Sequence, residues 1–173
     1  MREIYFHPLY FEKLKELERM MPFQNEVLTY YTEFEARLKK PDLYGKTLRL
    51  SEKQMPELWA IVKKVSAVAK ISPPPVHVYE DFYYGVEAKG SGSPRLEISA
   101  KTIEDLSVES LTFLIAREIC RIKWNMQKTA LIMEQVLEMS NEKNLLTNLL
   151  PGTQTLSEGL RITYASWSRV SLI

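Results

Sequence analysis

With 173 residues, 45% of them apolar, and 23 Lys plus Arg against 22 Asp plus Glu, the chain is long enough for one globular core. It is too evenly charged for net charge to steer it to nucleic acid, and too apolar to stay disordered. Its single cysteine, Cys120, excludes an internal disulfide and a cysteine metal cluster, which makes a reducing compartment, the cytoplasm, the expected location. No window holds the roughly 18 uninterrupted apolar residues a membrane-spanning helix needs, and Met1-Arg2-Glu3-Ile4-Tyr5 lacks the apolar stretch of a signal peptide.

In residues 8–21, Leu9, Tyr10, Leu14, Leu17 and Met21 recur at helical spacing with Lys and Glu between them, so an amphipathic helix opened by Pro8 is expected. A second helix follows Pro22 on Val27, Leu28, Tyr31, Phe34 and Leu38 and stops ahead of Pro41, because a residue preceding proline disfavours helix. Residues 43–50 read as a loop or short extended piece. Ser51 with Gln54 reads as a capping box for a third helix carrying Leu58, Trp59, Val62, Val65, Val68 and Ala69 toward Lys70, ended by Pro73-Pro74-Pro75. The period then changes to two. Residues 76–79 and 95–98 alternate as strands do, residues 83–86 offer a third, and Gly90-Ser91-Gly92-Ser93 is a turn. A short helix over 102–106 precedes a long one capped by Ser107 and expected to reach Met139. Polar residues 140–144, a break at Pro151-Gly152 and a last helix over 156–172 complete the chain. Helices, a small mixed sheet of about three strands, then helices make an α+β class. The expected organisation is a single domain over 1–173, with 1–72 helical and 73–173 carrying the sheet and the long helix.

At 100° per residue, residues 111–124 place Leu111, Leu114, Ile115, Ile119 and Ile122 on one side with Glu118 among them, and that side must be buried. The opposite side holds Phe113, Arg117, Cys120, Arg121 and Trp124, so the helix is apolar nearly all round and its charges are the exceptions to explain. Cys120 reads as a small core residue, and His7 and His77 as structural.

The segment Leu114-Ile115-Ala116-Arg117-Glu118-Ile119-Cys120-Arg121-Ile122 resembles the Ala-His-Glu-Leu-Gly-His-Ile helix of peptidase family M forty-eight, the HtpX-like and prenyl-protein-protease-like zinc metallopeptidases. His-Glu-x-x-His works there because positions i and i+4 face one way, so both imidazoles reach one zinc while the glutamate activates its water. Further similarities come in order: His7-Pro8 near the start, the proline-rich link feeding residues 76–79, the edge-like Tyr84-Gly85-Val86-Glu87-Ala88-Lys89-Gly90, and Leu106-Ser107-Val108-Glu109-Ser110-Leu111 leading into the helix. The family's third ligand, a glutamate in Trp-x-Arg-x-x-Glu, corresponds to Leu172 of Trp167-Ser168-Arg169-Val170-Ser171-Leu172. The resemblance implies a zincin-like domain whose three metal positions are Arg117, Arg121 and Leu172.

A protonated guanidinium has no lone pair to give, so zinc is expected to be lost, and a carboxylate without the metal does not gain its lowered water pKa. Glu118 is then vestigial as a catalytic group, and its flanking arginines suit an ion pair better than a general base. Buried arginines need partners: Glu118 or Glu158 is expected to pair with Arg117 or Arg121, with capture of an anion or a partner's carboxylate as the alternative. In the resembled family the edge strand binds substrate by strand addition, so Tyr83, Tyr84, Gly85 and Val86 are a possible peptide-binding edge, with Tyr79 and Phe82 beside them and ordinary sheet packing as the plainer explanation. The expected function is that of a pseudo-peptidase with a peptide- or protein-binding or scaffold role and neither cofactor, nucleic acid nor integral membrane segment. The alternatives are a metal-independent enzyme or anion site using Arg117, Glu118 and Arg121, and a structural subunit of a homo-oligomer.

Overall fold

Alternation in two short stretches builds the centre of the fold: β2 (Val76–Tyr79) and β4 (Arg95–Ser99) pair in parallel, Val76 opposite Leu96 and Val78 opposite Ile98. The computed structural model describes residues 9–20, 29, 32–33, 37, 40–90 and 92–131. The chain divides into two compact units, one of Met1–Thr29 with Thr129–Ile173 and the other Tyr30–Lys128. In the first, α1 (Tyr10–Met20) carries Glu12 in its first turn and Arg19 in its last, both favourable to the helix dipole. His7, Glu158, Leu172, the expected last helix over 156–172 and most of the expected second helix lie outside the described residues.

The second unit is α+β. A short helix, α2 (Lys40–Lys46), leads into β1 (Thr47–Arg49), which pairs antiparallel with β2. On the other side β3 (Val86–Lys89) pairs antiparallel with β4, giving a mixed sheet of four strands in the order β1, β2, β4, β3. The sequence offers about three strands. The fourth, β1, falls within residues 43–50, read as a loop or short extended piece, because three residues between a helix and a turn carry too little alternation to register as a strand. The strand expected at 83–86 begins only at Val86, so Tyr83, Tyr84 and Gly85 belong to the connection before it.

Register sorts the side chains. Val76, Val78, Leu96, Ile98, Val86 and Ala88 share one face, while His77, Tyr79, Glu97, Arg95, Glu87 and Lys89 share the other. Glu87 and Glu97 stand directly opposite, a like-charge pairing that Lys89 relieves with Nζ 2.8 Å from Glu87 and 3.6 Å from Glu97, while Arg95 Nε lies 2.7 Å from Glu97.

Two helices complete the core of this unit. In α3 (Pro56–Ala69), Leu58 and Val62 are buried in one cluster with the sheet's apolar residues and those of the long helix over 108–123. The expected capping box fails: Ser51 Oγ accepts the Gln54 amide at 3.3 Å, but it closes a turn, and the helix starts after left-handed Met55 with Pro56 at its first position. It ends at left-handed Lys70, whose amide donates to Ala67, before the prolines are reached. Because α3 shares one core with the sheet, residue 72 marks no seam. From β4 the chain passes through α4 (Ala100–Asp105), capped by Ser99, into α5 (Val108–Lys123), capped by Ser107 Oγ on the Ser110 amide at 3.2 Å. The long helix expected to reach Met139 breaks at Trp124 and at Asn125, whose φ is +57°. Asparagine tolerates the left-handed region through its short side chain, and the Lys128 amide turns back to its carbonyl at 3.1 Å.

Candidate functional site

Helix α5 forms where Leu111, Ile115, Ile119 and Ile122 repeat at three- and four-residue spacing, and all four are buried. Glu118 falls on the same stripe and is 1% exposed, which sets the chemistry of the site, because a carboxylate taken from water needs partners for both oxygens. It has them. Arg117 Nε donates to Oε1 at 2.8 Å, and Arg121 Nη1 lies 3.2 Å from Oε1 and 3.3 Å from Oε2. The third donor is main chain: the Ala88 amide of β3 donates to Oε2 at 3.0 Å.

The strand's parity explains that last bond. Ser99 N–H donates to Gly85 O at 2.9 Å, so Gly85 faces β4, and Ala88, an odd number of residues away, turns its amide to the open side of the sheet. Glu118 reaches from the helix to that open side and takes one of the amides an added strand would need. The arginine heads stay half-buried, 35% and 25% exposed, which lets solvent carry part of their charge while both remain on the buried carboxylate.

Arg117 and Arg121 thus stand at i and i+4 on α5 and bring donor groups only. Among the described residues no three His, Cys, Asp or Glu side chains converge as a metal cluster. A divalent cation placed beside two guanidiniums would be repelled, and the lone carboxylate near it is already saturated, so these residues do not fit zinc. Leu172 lies outside the described residues.

Other expectations change place. Cys120 is exposed, not a core residue, because it lies two turns from exposed Phe113 on the stripe opposite Ile115 and Ile119. His77 is buried, with Nδ1 2.9 Å from Thr47 Oγ1 and its ring centroid 5.8 Å from that of Tyr44. Burial, and after it the charge of Arg95, pushes its pKa below the usual 6.5. Sequence periodicity did not show the hydroxyl cluster under the connection from β2 to β3. There the Gly85 amide donates to Thr102 Oγ1 at 2.8 Å and Ser99 Oγ at 3.2 Å, and the two hydroxyls lie 2.7 Å apart. A Cβ at Gly85 would come within 2.5 Å of Tyr79 Oη, which explains the glycine. The one available signal was Ser99 three residues before Thr102 at the start of a short helix.

Comparison with protein-family models, with curated proteins and with solved structures finds no match for the chain.

Proposed function

We propose that the chain is a catalytically inactive, metallopeptidase-like protein with a peptide- or protein-binding or scaffold role in the cytoplasm, working without zinc. The observation that carries this reading is the saturation of Glu118: both its oxygens are engaged, by Arg117, Arg121 and the Ala88 amide. A general base must be free to accept a proton from a water within hydrogen-bond reach, and a water-activating carboxylate beside zinc needs the metal to lower that water's pKa. Here two fixed cations and a main-chain donor hold the carboxylate in place of a substrate water. The order of elements supports the zincin-like reading of the fold: an antiparallel edge strand β3, its neighbour β4, a short helix, and then the Arg-Glu-x-x-Arg helix packed beside β3 and β4.

The test is zinc titration of the full chain by calorimetry, together with a peptidase assay on a quenched-fluorescence peptide library, with and without zinc. We expect no stoichiometric uptake and no cleavage. One zinc bound per chain, or cleavage abolished by Glu118→Gln, overturns the proposal.

A further inference from the structure

We propose that the connection bearing Phe82, Tyr83 and Tyr84 is a docking surface for a positively charged peptide segment, engaged through the faces of its aromatic rings and the carboxylates around them. Three consecutive aromatic side chains are 92%, 78% and 59% exposed. Large rings left in water forgo the burial that normally stabilises them, and a contiguous set of them marks an interaction surface.

The rings are presented on a fixed support. The Tyr83 amide donates to Asp81 Oδ1 at 3.2 Å, closing a local turn. Tyr84 Oη donates to Asp105 Oδ2 at 2.9 Å, and the next residue, Gly85, is clamped by the buried hydroxyls of Ser99 and Thr102. A surface held this way loses little conformational freedom on binding.

Charge selects the partner. Asp105 meets the Tyr84 hydroxyl and Asp81 the Tyr83 amide; both, with their chain neighbours Glu104 and Glu80, are exposed, and within residues 80–85 and 100–105 the only basic side chain is Lys101. Lys101 also shows how the surface takes a cation: its Nζ lies 5.4 Å from the centroid of the Tyr84 ring and 3.6 Å from Asp105 Oδ2. The Asp81 carboxylate, tied to the Tyr83 amide, adds a second negative charge to the connection that carries Phe82 and Tyr83. Lysine and arginine side chains fit such a surface by cation–π attraction and charge pairing. The same carboxylates repel a nucleic-acid backbone or an anionic bilayer.

The experiment is fluorescence anisotropy of the full chain with a labelled twelve-residue Arg-Ser repeat peptide, and with its Glu-Ser counterpart at equal ionic strength. Amide chemical-shift mapping of the basic-peptide complex accompanies it. The basic peptide is expected to bind saturably, the acidic one not at all, and shifts to concentrate in residues 80–85 and 100–105. Losing two exposed ring contacts in the double substitution Phe82→Ser, Tyr83→Ser is expected to weaken binding about tenfold while the melting temperature holds. Asp81→Asn is expected to weaken it less. Equal affinity of the double variant means charge adsorption alone and overturns the proposal. So does a shift pattern centred elsewhere, or binding of phosphatidylserine vesicles or single-stranded DNA in preference to the basic peptide.

Discussion

Two regions of the molecule concentrate groups that sequence reading treats as functional, and they resolve in opposite ways. On α5 the charged residues Arg117, Glu118 and Arg121 turn inward onto one another and onto the Ala88 amide. On the connection ahead of β3, the aromatic residues Phe82, Tyr83 and Tyr84 turn outward. Charge on a helix looks like a site and here is largely a fastening, whereas aromatic residues look like core and here are surface. What separates the two is burial: Glu118 is 1% exposed with both oxygens engaged, whereas the rings of Phe82, Tyr83 and Tyr84 remain exposed.

The largest effect that distinguishes the regions is expected from Glu118→Ala. It leaves the Ala88 amide unsatisfied and two guanidiniums facing a void. Because the arginine heads are partly exposed and can rehydrate, the loss falls at the lower end for a broken buried pair, about 3 kcal/mol by urea denaturation. A loss under about 1 kcal/mol would place Glu118 among ordinary surface charges and erase the contrast.

Ser99→Ala probes the boundary between the regions. It removes the cap of α4 and one acceptor of the Gly85 amide, and a loss of about 1–2 kcal/mol is expected by the same measurement. Gly85 should then show increased amide exchange, while the bonds around Glu118 remain as they were.

His77 sharpens the contrast by pH. Its folded-state pKa lies below the unfolded value of about 6.5, so the unfolded chain binds the proton first as pH falls. Its contribution to stability is therefore present above that value and is lost as pH drops below it toward the folded pKa. One proton limits the slope to about 1.4 kcal/mol per pH unit. His77→Gln should flatten this limb of the stability curve, whereas Asp81→Asn on the exposed connection should leave it in place.

The smallest effects belong to exposed positions. Phe82→Ser and Cys120→Ser are each expected to shift stability by no more than about 0.5 kcal/mol. Cys120 should also react with a thiol reagent in the native protein at a rate close to that of the unfolded chain, and protection of that thiol would show that its face of α5 is covered in solution.

The buried stripe of α5 could be read from sequence because Leu111, Ile115, Ile119 and Ile122 set a helical period that fixes Glu118 among them. The pairing of the arginines followed from charge, since no guanidinium is buried without a partner. The bond to Ala88 did not follow: it joins residues 30 apart in the chain, and periodicity carries no information on which strand a helix will lie beside. For the same reason the sequence of residues 43–50 supports no more than a loop or short extended piece, as three residues become a strand only because β2 is there to pair with them. The start of β3 was misplaced by three residues, because Tyr83 and Tyr84 have high strand propensity while the register is fixed by Gly85 and its hydroxyl clamp. The end of α5 is not legible because the apolar pattern continues past residue 124 and a single asparagine at 125 carries the left-handed break.

The bond from Ala88 to Glu118 also turns one amide into a clock. Outward amides of an edge strand ordinarily exchange with solvent deuterium almost as fast as in a disordered peptide, but the Ala88 amide points into a buried carboxylate held by two arginines. Its exchange then requires β3 to part from α5, so the rate at this one position reports how often the sheet and the helix beneath it come apart.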